Sequence, residues 1–527
     1  MSDTVAQLLR ERAREHPDRL FLWSAEQRVT YREMDAASDR VAAGLADIGV
    51  APGERVAIIS FNRPEMVELF FACAKLGAVL VPLNVFLRGE FLRYQLDDAE
   101  AATVIVDAPG QSAVADIVSE LPVLKRVVAL DDAGSEGPME AVSFGRIAEE
   151  GASPPSVELS ASSLMTIMYT SGTTGMPKGC MLAQGWYLNG ARAGTDMMDY
   201  RTGDVLYTAL PLFHAWAQGM VMGALLHGLT AVVDPEFSAS SVMSRLAETR
   251  ATTFAGVGAM GMAMLATAPS DADRSHRLRA ALMIPFTPEQ QKSFKERFGA
   301  TVLAQLYGQT ECGAIAYERI TEPGKPATVG RPAPHLDVRV VDDGDEEARI
   351  GEIGEIAVRP RVPNAVYQGY WRKPEETLTA WRNLWHHTGD YGRADEDGYL
   401  TFVDRKKDAL RRRGENVSSL ELEAAIAAHP KIAEVAVHAV PSPLTEDDIK
   451  ACLVLAPGEQ VTPKELFAFF KERVPYFAVP RYVEVVPQLP RNATMRVMKH
   501  VLRDRGVTEE TWDLEALGLT VRRDERR

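Results

Sequence analysis

The chain has 527 residues, 46% of them hydrophobic and 25% charged, and a formal net charge of −15. That length calls for three or more structural units at roughly 100–200 residues each, and the composition is that of a globular protein, neither disordered nor membrane-embedded. The acidic balance argues against nucleic-acid binding as the main role while leaving room for a local basic site.

The N-terminal stretch "MSDTVAQLLRERAREHPDRL" interleaves charges with Val5, Leu8 and Leu9 at helical spacing, which predicts a surface helix and not a signal peptide. Short β-branched runs follow, "VAIIS" at 56, "AVLVPLN" at 78, "TVIVD" at 103, "TIMYT" at 166, "VLYTAL" at 205 and "TAVVD" at 230, with helical stretches between them. This alternation predicts an α/β fold with parallel sheets. Turn-rich breaks stand at 134–138 and 151–156. The uncharged stretch 251–268 contains too little Leu or Ile for a membrane span and reads as a buried wall. Its methionines (Met260, Met262, Met264) suit an adaptable pocket or ordinary core filling equally well. From about His335 the strands lie close together, which predicts a small, mostly antiparallel subdomain. After "DRKKD" at 404–408 a new β/α mixture begins, and a domain boundary falls there. Cys73, Cys180, Cys312 and Cys452 lie far apart with no ligand spacing, so a reduced, cytoplasmic compartment and no structural zinc are expected.

Among the loops, "TSGTTGMPKG" (170–179) follows an apolar strand directly and combines glycines, hydroxyls and a lysine. Glycine lets backbone amides converge, hydroxyls donate beside them, and lysine adds charge, so the loop suits a phosphate group. It is not a mononucleotide P-loop, because Met176 and Pro177 separate Gly175 from Lys178. A flexible surface turn would share this composition, but loops on strand ends are where α/β sheets bind ligands. Further on, "YGQTECGAI" (307–315) sets Thr310 and Glu311 between glycines, a pattern suited to a carboxylate holding Mg2+ against phosphate oxygens. Asp390 in "HHTGD" and Arg405 in "DRKKD" form a chemically sensible pair for a nucleotide. "RRRGEN" (411–416) and "LPRNATMRVMK" (489–499) lie in the last domain.

In this order, "YTSGTTGMPKG", "YGQTE", "HTGD" and "DRKKD" resemble the adenylate-forming superfamily, which includes acyl-CoA synthetases and aryl-CoA ligases, and the resemblance runs from about Val5 to Thr520. The ending looks like the carnitine/crotonobetaine-CoA ligase branch. The resemblance implies a large N-terminal domain of α/β sheets (1–404, with a β-rich subdomain at about 335–404), a hinge at 405–408 and a small mobile α+β C-terminal domain (409–527). It also implies ATP, Mg2+ and CoA as partners of a small acid, with acyl-AMP formed first and acyl-CoA second. Residue by residue, it assigns Thr170, Ser171, Gly172, Thr173, Thr174, Gly175 and Lys178 to the β- and γ-phosphates, Thr310 to the α-phosphate and Glu311 to the metal. Tyr307, with Gly308 and Gln309 beside it, would lie against adenine, and Asp390 and Arg405 would hold the ribose. Lys407 falls at the hinge and Gly414 on the CoA side. The acid pocket would be formed by His214, Trp216, Gly258, Ile284, Phe286 and Gly313, although His214 on its own also reads as a core histidine.

The sequence departs from the family pattern at three places. Arg496 stands where relatives carry a lysine that bridges the acid and the α-phosphate, and the two side chains are poorly interchangeable at a tight site. Arg496 could do the same job, Lys499 could substitute, or this branch could simply tolerate the change. "ALMIPFTPE" (281–289) replaces a glycine-rich segment, with Ile284 and Phe286 narrowing the pocket, and Val257-Gly258 replaces a Val-Pro. These changes favour a small or flat acid. They also leave open two alternatives: activation of another anion such as nitrite with transfer to an aryl amine, or a nucleotide-binding homologue impaired in turnover. No integral membrane segment is expected, and a homodimer is among the assemblies the sequence allows.

Overall fold

A computed structural model describes residues 3–131, 141–149, 153–170, 176–406, 410–412, 415–417, 419–442, 447–474, 478–491 and 497–521. Two seven-stranded sheets dominate the N-terminal part. One runs in the order 141–143, 126–129, 103–106, 55–59, 79–82, 164–170, 178–183 and is parallel except for its last pair. The other runs 301–303, 280–284, 253–257, 205–208, 230–233, 20–24, 27–30 and again only the last pair is antiparallel.

Successive side chains of a strand point to opposite faces, and here both faces are covered. In strand Arg55–Ile59, Val56 and Ile58 enter one buried cluster while Ala57 and Ile59 enter another. In Val205–Thr208, Leu206 and Tyr207 divide in the same way. The cluster holding Val56, Ile58 and Leu206 also holds residues of helices Tyr31–Asp47, Pro64–Leu76, Gln184–Met198 and Ala215–His227. Those helices therefore fill the space between the sheets, and others cover the outer faces, giving five alternating layers. Burial on both sides is why the strands read as continuous apolar runs.

The N-terminal helix Val5–Glu15 buries Val5, Leu8 and Leu9 and is capped by the Thr4 side chain, which accepts from the Gln7 amide. The stretch 251–268 is not the uniformly buried wall expected of it. It forms strand Thr253–Val257 and helix Gly258–Ala266, with Met264 buried but Val257 and Met262 exposed at the strand end and the outer helix face. Among the described residues, no helix is long and apolar enough to cross a membrane. All four cysteines are free and buried.

Beyond the second sheet, hairpin Leu306–Gln309/Gly313–Tyr317 leads into an antiparallel sheet of strands 336–341, 354–360, 385–394 and 400–405. The C-terminal part is α+β: a four-stranded sheet (432–441, 447–455, 482–485, 512–513) with helices Ser419–Ala427 and Pro463–Arg473 packed on a core that includes Ile426, Val437, Leu466 and Phe470.

Candidate active site

Of the residues singled out by the sequence, Thr170 and Lys178 stand at the ends of adjacent strands of the first sheet and Ile284 at the end of a strand of the second. Thr170 closes strand Leu164–Thr170 and lies opposite Lys178, the first residue of strand Lys178–Ala183. The intervening Ser171, Gly172, Thr173, Thr174 and Gly175 lie outside the described residues. The far end of this loop is tied down by Tyr94, whose hydroxyl donates to the Pro177 carbonyl at 3.1 Å. Next to Lys178–Ala183 runs segment 368–371: Met181 N donates to Gly369 O (3.0 Å) and Trp371 N to Gly179 O (2.7 Å). This pairing brings Tyr370 under Lys178, whose ammonium lies 4.4 Å from the centroid of the ring.

The hairpin explains how Glu311 reaches the same place. Its strands end at Gln309 and start again at Gly313, so Thr310, Glu311 and Cys312 form the tip. Gly308 is required there because a Cβ would stand 2.4 Å from the Gly313 carbonyl oxygen, and Gly313 itself takes a left-handed φ of +65°. Glu311 is buried at the edge of the core. Its Oε1 accepts from the Tyr370 hydroxyl at 2.8 Å and its carbonyl from the Tyr367 amide at 2.7 Å. Burial and the adjacent Glu311 carboxylate hold the Tyr370 phenol far above its ordinary pKa, so it remains a donor. Among the described residues, no three His, Cys, Asp or Glu side chains form a metal cage. A single carboxylate at the tip fits Mg2+, which is commonly held by one or two carboxylates with phosphate oxygens and water completing its shell.

Asp390 lies on the antiparallel sheet and is buried. Its Oδ2 accepts from the Tyr307 hydroxyl (2.7 Å) and from Gln309 Nε2 (2.8 Å), and its Oδ1 faces Arg405 Nε at 3.8 Å from the register position directly opposite. Gln309 also donates to the Thr388 carbonyl at 2.9 Å, so its amide orients the carboxylate. The Tyr307 hydroxyl is thus committed to Asp390, leaving only its ring to lie against a nucleotide base.

The residues expected at the acid pocket divide. His214 precedes helix Ala215–His227 and is exposed, yet the protein around it desolvates the imidazole enough to keep its pKa below the usual value. Trp216 and Ile284 pack against the cluster that holds Tyr307 and Cys312. Phe286 does not join them. It is buried among Met264, Met283 and Phe294, with the Phe294 ring edge-on at 6.1 Å, so the direct narrowing expected of it falls to Ile284 alone. Gly258 is fixed by sterics, since a Cβ there would meet the Pro285 carbonyl oxygen at 1.8 Å.

Lys407, Gly414 and Arg496 lie outside the described residues. Lys499, considered as a stand-in for the family lysine, is engaged within its own domain by Glu423 Oε1 (2.7 Å) and Ser419 Oγ (2.6 Å). Sequence reasoning missed Tyr367, Tyr370 and His386. Tyr367 contacts His386 Nδ1 at 3.4 Å, and His386 Nε2 lies 3.4 Å from Gln309 Oε1, which links the Glu311 side of the site to the Asp390 side. The signals were the aromatic run "VYQGYW" and the paired histidines before "TGD". Neither carries a charge or glycine pattern that announces a ligand.

The chain is similar to known proteins over most of its length. Residues 9–371 match the model of the AMP-binding enzyme family, and residues 421–496 match that of the AMP-binding enzyme C-terminal domain. A crotonobetaine/carnitine–CoA ligase of Escherichia coli O157:H7 is 31% identical over 485 residues, covering 90% of this chain and 93% of the relative. The anthranilate CoA ligase AuaEII in complex with anthranoyl-AMP superposes with a TM-score of 0.83 at 25% identity, over 95% of this chain and 97% of that one. An O-succinylbenzoate coenzyme A synthetase from Bacillus subtilis, in complex with ATP and magnesium ion, gives 0.80 at 28% identity, over 94% and 99%.

Proposed function

This chain belongs to the AMP-binding enzyme family, and we propose that within it the protein is an ATP-dependent acid–CoA ligase. The observation that carries the reading is the convergence of Lys178 and Glu311 on Tyr370 at one end of the site and of Tyr307 and Arg405 on Asp390 at the other. A cation and a carboxylate at the first end suit a triphosphate with its magnesium, and a buried, oriented carboxylate at the second suits ribose hydroxyls. Bound Mg2+ would be held by Glu311 and would supply charge neutralisation on the phosphates.

In the first half-reaction a carboxylate oxygen of the acid attacks the α-phosphorus. The bond to the bridging oxygen breaks and pyrophosphate leaves, giving acyl-AMP. Lys178 and the Thr170–Gly175 loop hold the leaving pyrophosphate, and Thr310 donates to the α-phosphate. In the second, the thiol of CoA loses its proton to solvent, the thiolate attacks the acyl carbonyl, and AMP leaves. Acyl-AMP makes this step feasible because AMP is a far better leaving group than a carboxylic acid oxygen. Arg496 supplies the charge between acid and phosphate during adenylation, and Lys407 and Gly414 serve the hinge and the approach of CoA. The acid is small or flat, bounded by His214, Trp216 and Ile284 beside Gly313. The named relatives, each a CoA ligase or synthetase, support thioester formation over the diazotising alternative and over an inert scaffold.

The test is direct. Purified protein with ATP, Mg2+, CoA and a panel of small aliphatic and aromatic acids should release AMP and pyrophosphate, with the acyl-CoA identified by mass spectrometry. No acid-dependent AMP across the panel would overturn the reading.

A further inference from the structure

We propose that Tyr370 is a spacer that keeps the Lys178 ammonium and the Glu311 carboxylate from neutralising each other, and so acts as a positioning residue for the triphosphate. The proposal rests on the ATP-binding reading of the site. Both charged groups touch this one side chain at different features: the ammonium at the ring face, 4.4 Å from the centroid, and the carboxylate at the hydroxyl, which donates to Oε1 at 2.8 Å. Tyr370 is itself held firmly. It is buried, its amide donates to Thr377 Oγ1 at 2.9 Å, and it bridges to Cys180 of the neighbouring strand.

Opposite charges at the edge of a protein interior attract strongly, and the flexible lysine stem can follow that attraction. A direct Lys178–Glu311 salt bridge would spend the phosphate donor on the metal ligand, leaving both less available to a nucleotide. The ring prevents this while holding the ammonium through its negative face, which leaves the positive charge in place. The neutral hydroxyl fixes the orientation of Glu311 without cancelling its charge.

The experiment is a double-mutant cycle on the full chain, read by titration calorimetry with ATP in EDTA and again with Mg2+, with thermal melting as the check on folding. Tyr370→Ala should weaken metal-free ATP about tenfold, and adding Glu311→Gln should restore most of that loss by releasing Lys178, a rescue larger than Glu311→Gln gives beside an intact Tyr370. Tyr370→Phe keeps the ring and should retain metal-free ATP affinity within about twofold while reducing the gain on adding Mg2+. Additive effects in the cycle, or a tenfold loss of metal-free affinity in Tyr370→Phe, would overturn the spacer role. If the unaltered protein does not bind ATP, the reading of the whole site fails with it. If it binds and the cycle is additive, only the inference about Tyr370 fails.

Discussion

The hydroxyl of Tyr307 donates to Asp390 across 83 positions of sequence, at 2.7 Å, and so ties the hairpin that carries Glu311 to the sheet that carries Arg405. Removing that hydroxyl as Tyr307→Phe leaves Gln309 as the remaining donor described to Oδ2. ATP affinity should fall by about 1.5 kcal/mol, the lower end of the net worth of a hydrogen bond to a carboxylate. Calorimetry with a 3′-deoxy analogue should show a smaller loss under the proposed contact of Asp390 with the ribose. An equal loss for both nucleotides would place the effect elsewhere.

Arg496 and Lys499 can be separated by half-reaction. Arg496→Ala should slow acyl-AMP formation by about a hundredfold or more, the scale of losing one charge that acts on the transition state, and should change thioester formation from supplied acyl-AMP far less. Lys499→Met should instead destabilise the C-terminal domain, since it strips Glu423 and Ser419 of their partner. Pyrophosphate exchange and thermal melting of the two variants decide the assignment. A large adenylation defect confined to Lys499→Met would reverse it.

His386 predicts a pH dependence of stability. Burial is the main reason its pKa falls to about 3 from 6.5. Because the folded value is depressed, the unfolded chain takes up the proton first, and stability is lost as pH falls from 6.5 toward 3, at about 1.4 kcal/mol per unit for this group. The melting temperature should therefore decline between pH 6.5 and 5, and the decline should be shallower in His386→Asn. Parallel curves for the two proteins would mean that His386 does not carry the effect.

Gly258→Ala tests the tight approach of the Pro285 carbonyl. The added methyl has no room, and overpacking of this kind costs about 3 kcal/mol. Its signature should be a lower melting temperature together with a raised KM for the acid, since Ile284 moves with Pro285. An unchanged melting temperature would contradict the geometry.

In the C-terminal domain Lys450 and Glu484 are both buried and paired, with Arg505 also contacting Glu484 at 2.9 Å. Breaking one side of a buried pair costs about 3–5 kcal/mol because the other charge stays behind. Lys450→Met should fall at the low end of that range, as Arg505 remains. Chemical denaturation followed by a probe in this domain measures it, and a stabilised variant would show that the pair is a net cost.

The local chemistry of this protein was legible in its sequence. The β-branched runs marked the strands of the two sheets because parallel strands are apolar on both faces. The glycines and acids of "YGQTE", "HTGD" and "DRKKD" pointed to the candidate site because sterics and charge restrict what can stand there. Tertiary structure alone decided which of these side chains meet. The pairing of segment 368–371 with strand Lys178–Ala183 puts Tyr370 between Lys178 and Glu311, and the end of strand Ala280–Ile284 leaves Ile284 against the cluster of Tyr307 while Phe286, beyond the strand, packs into the core. Such contacts join residues up to nearly two hundred positions apart through backbone register, and register leaves no trace in the composition of either partner.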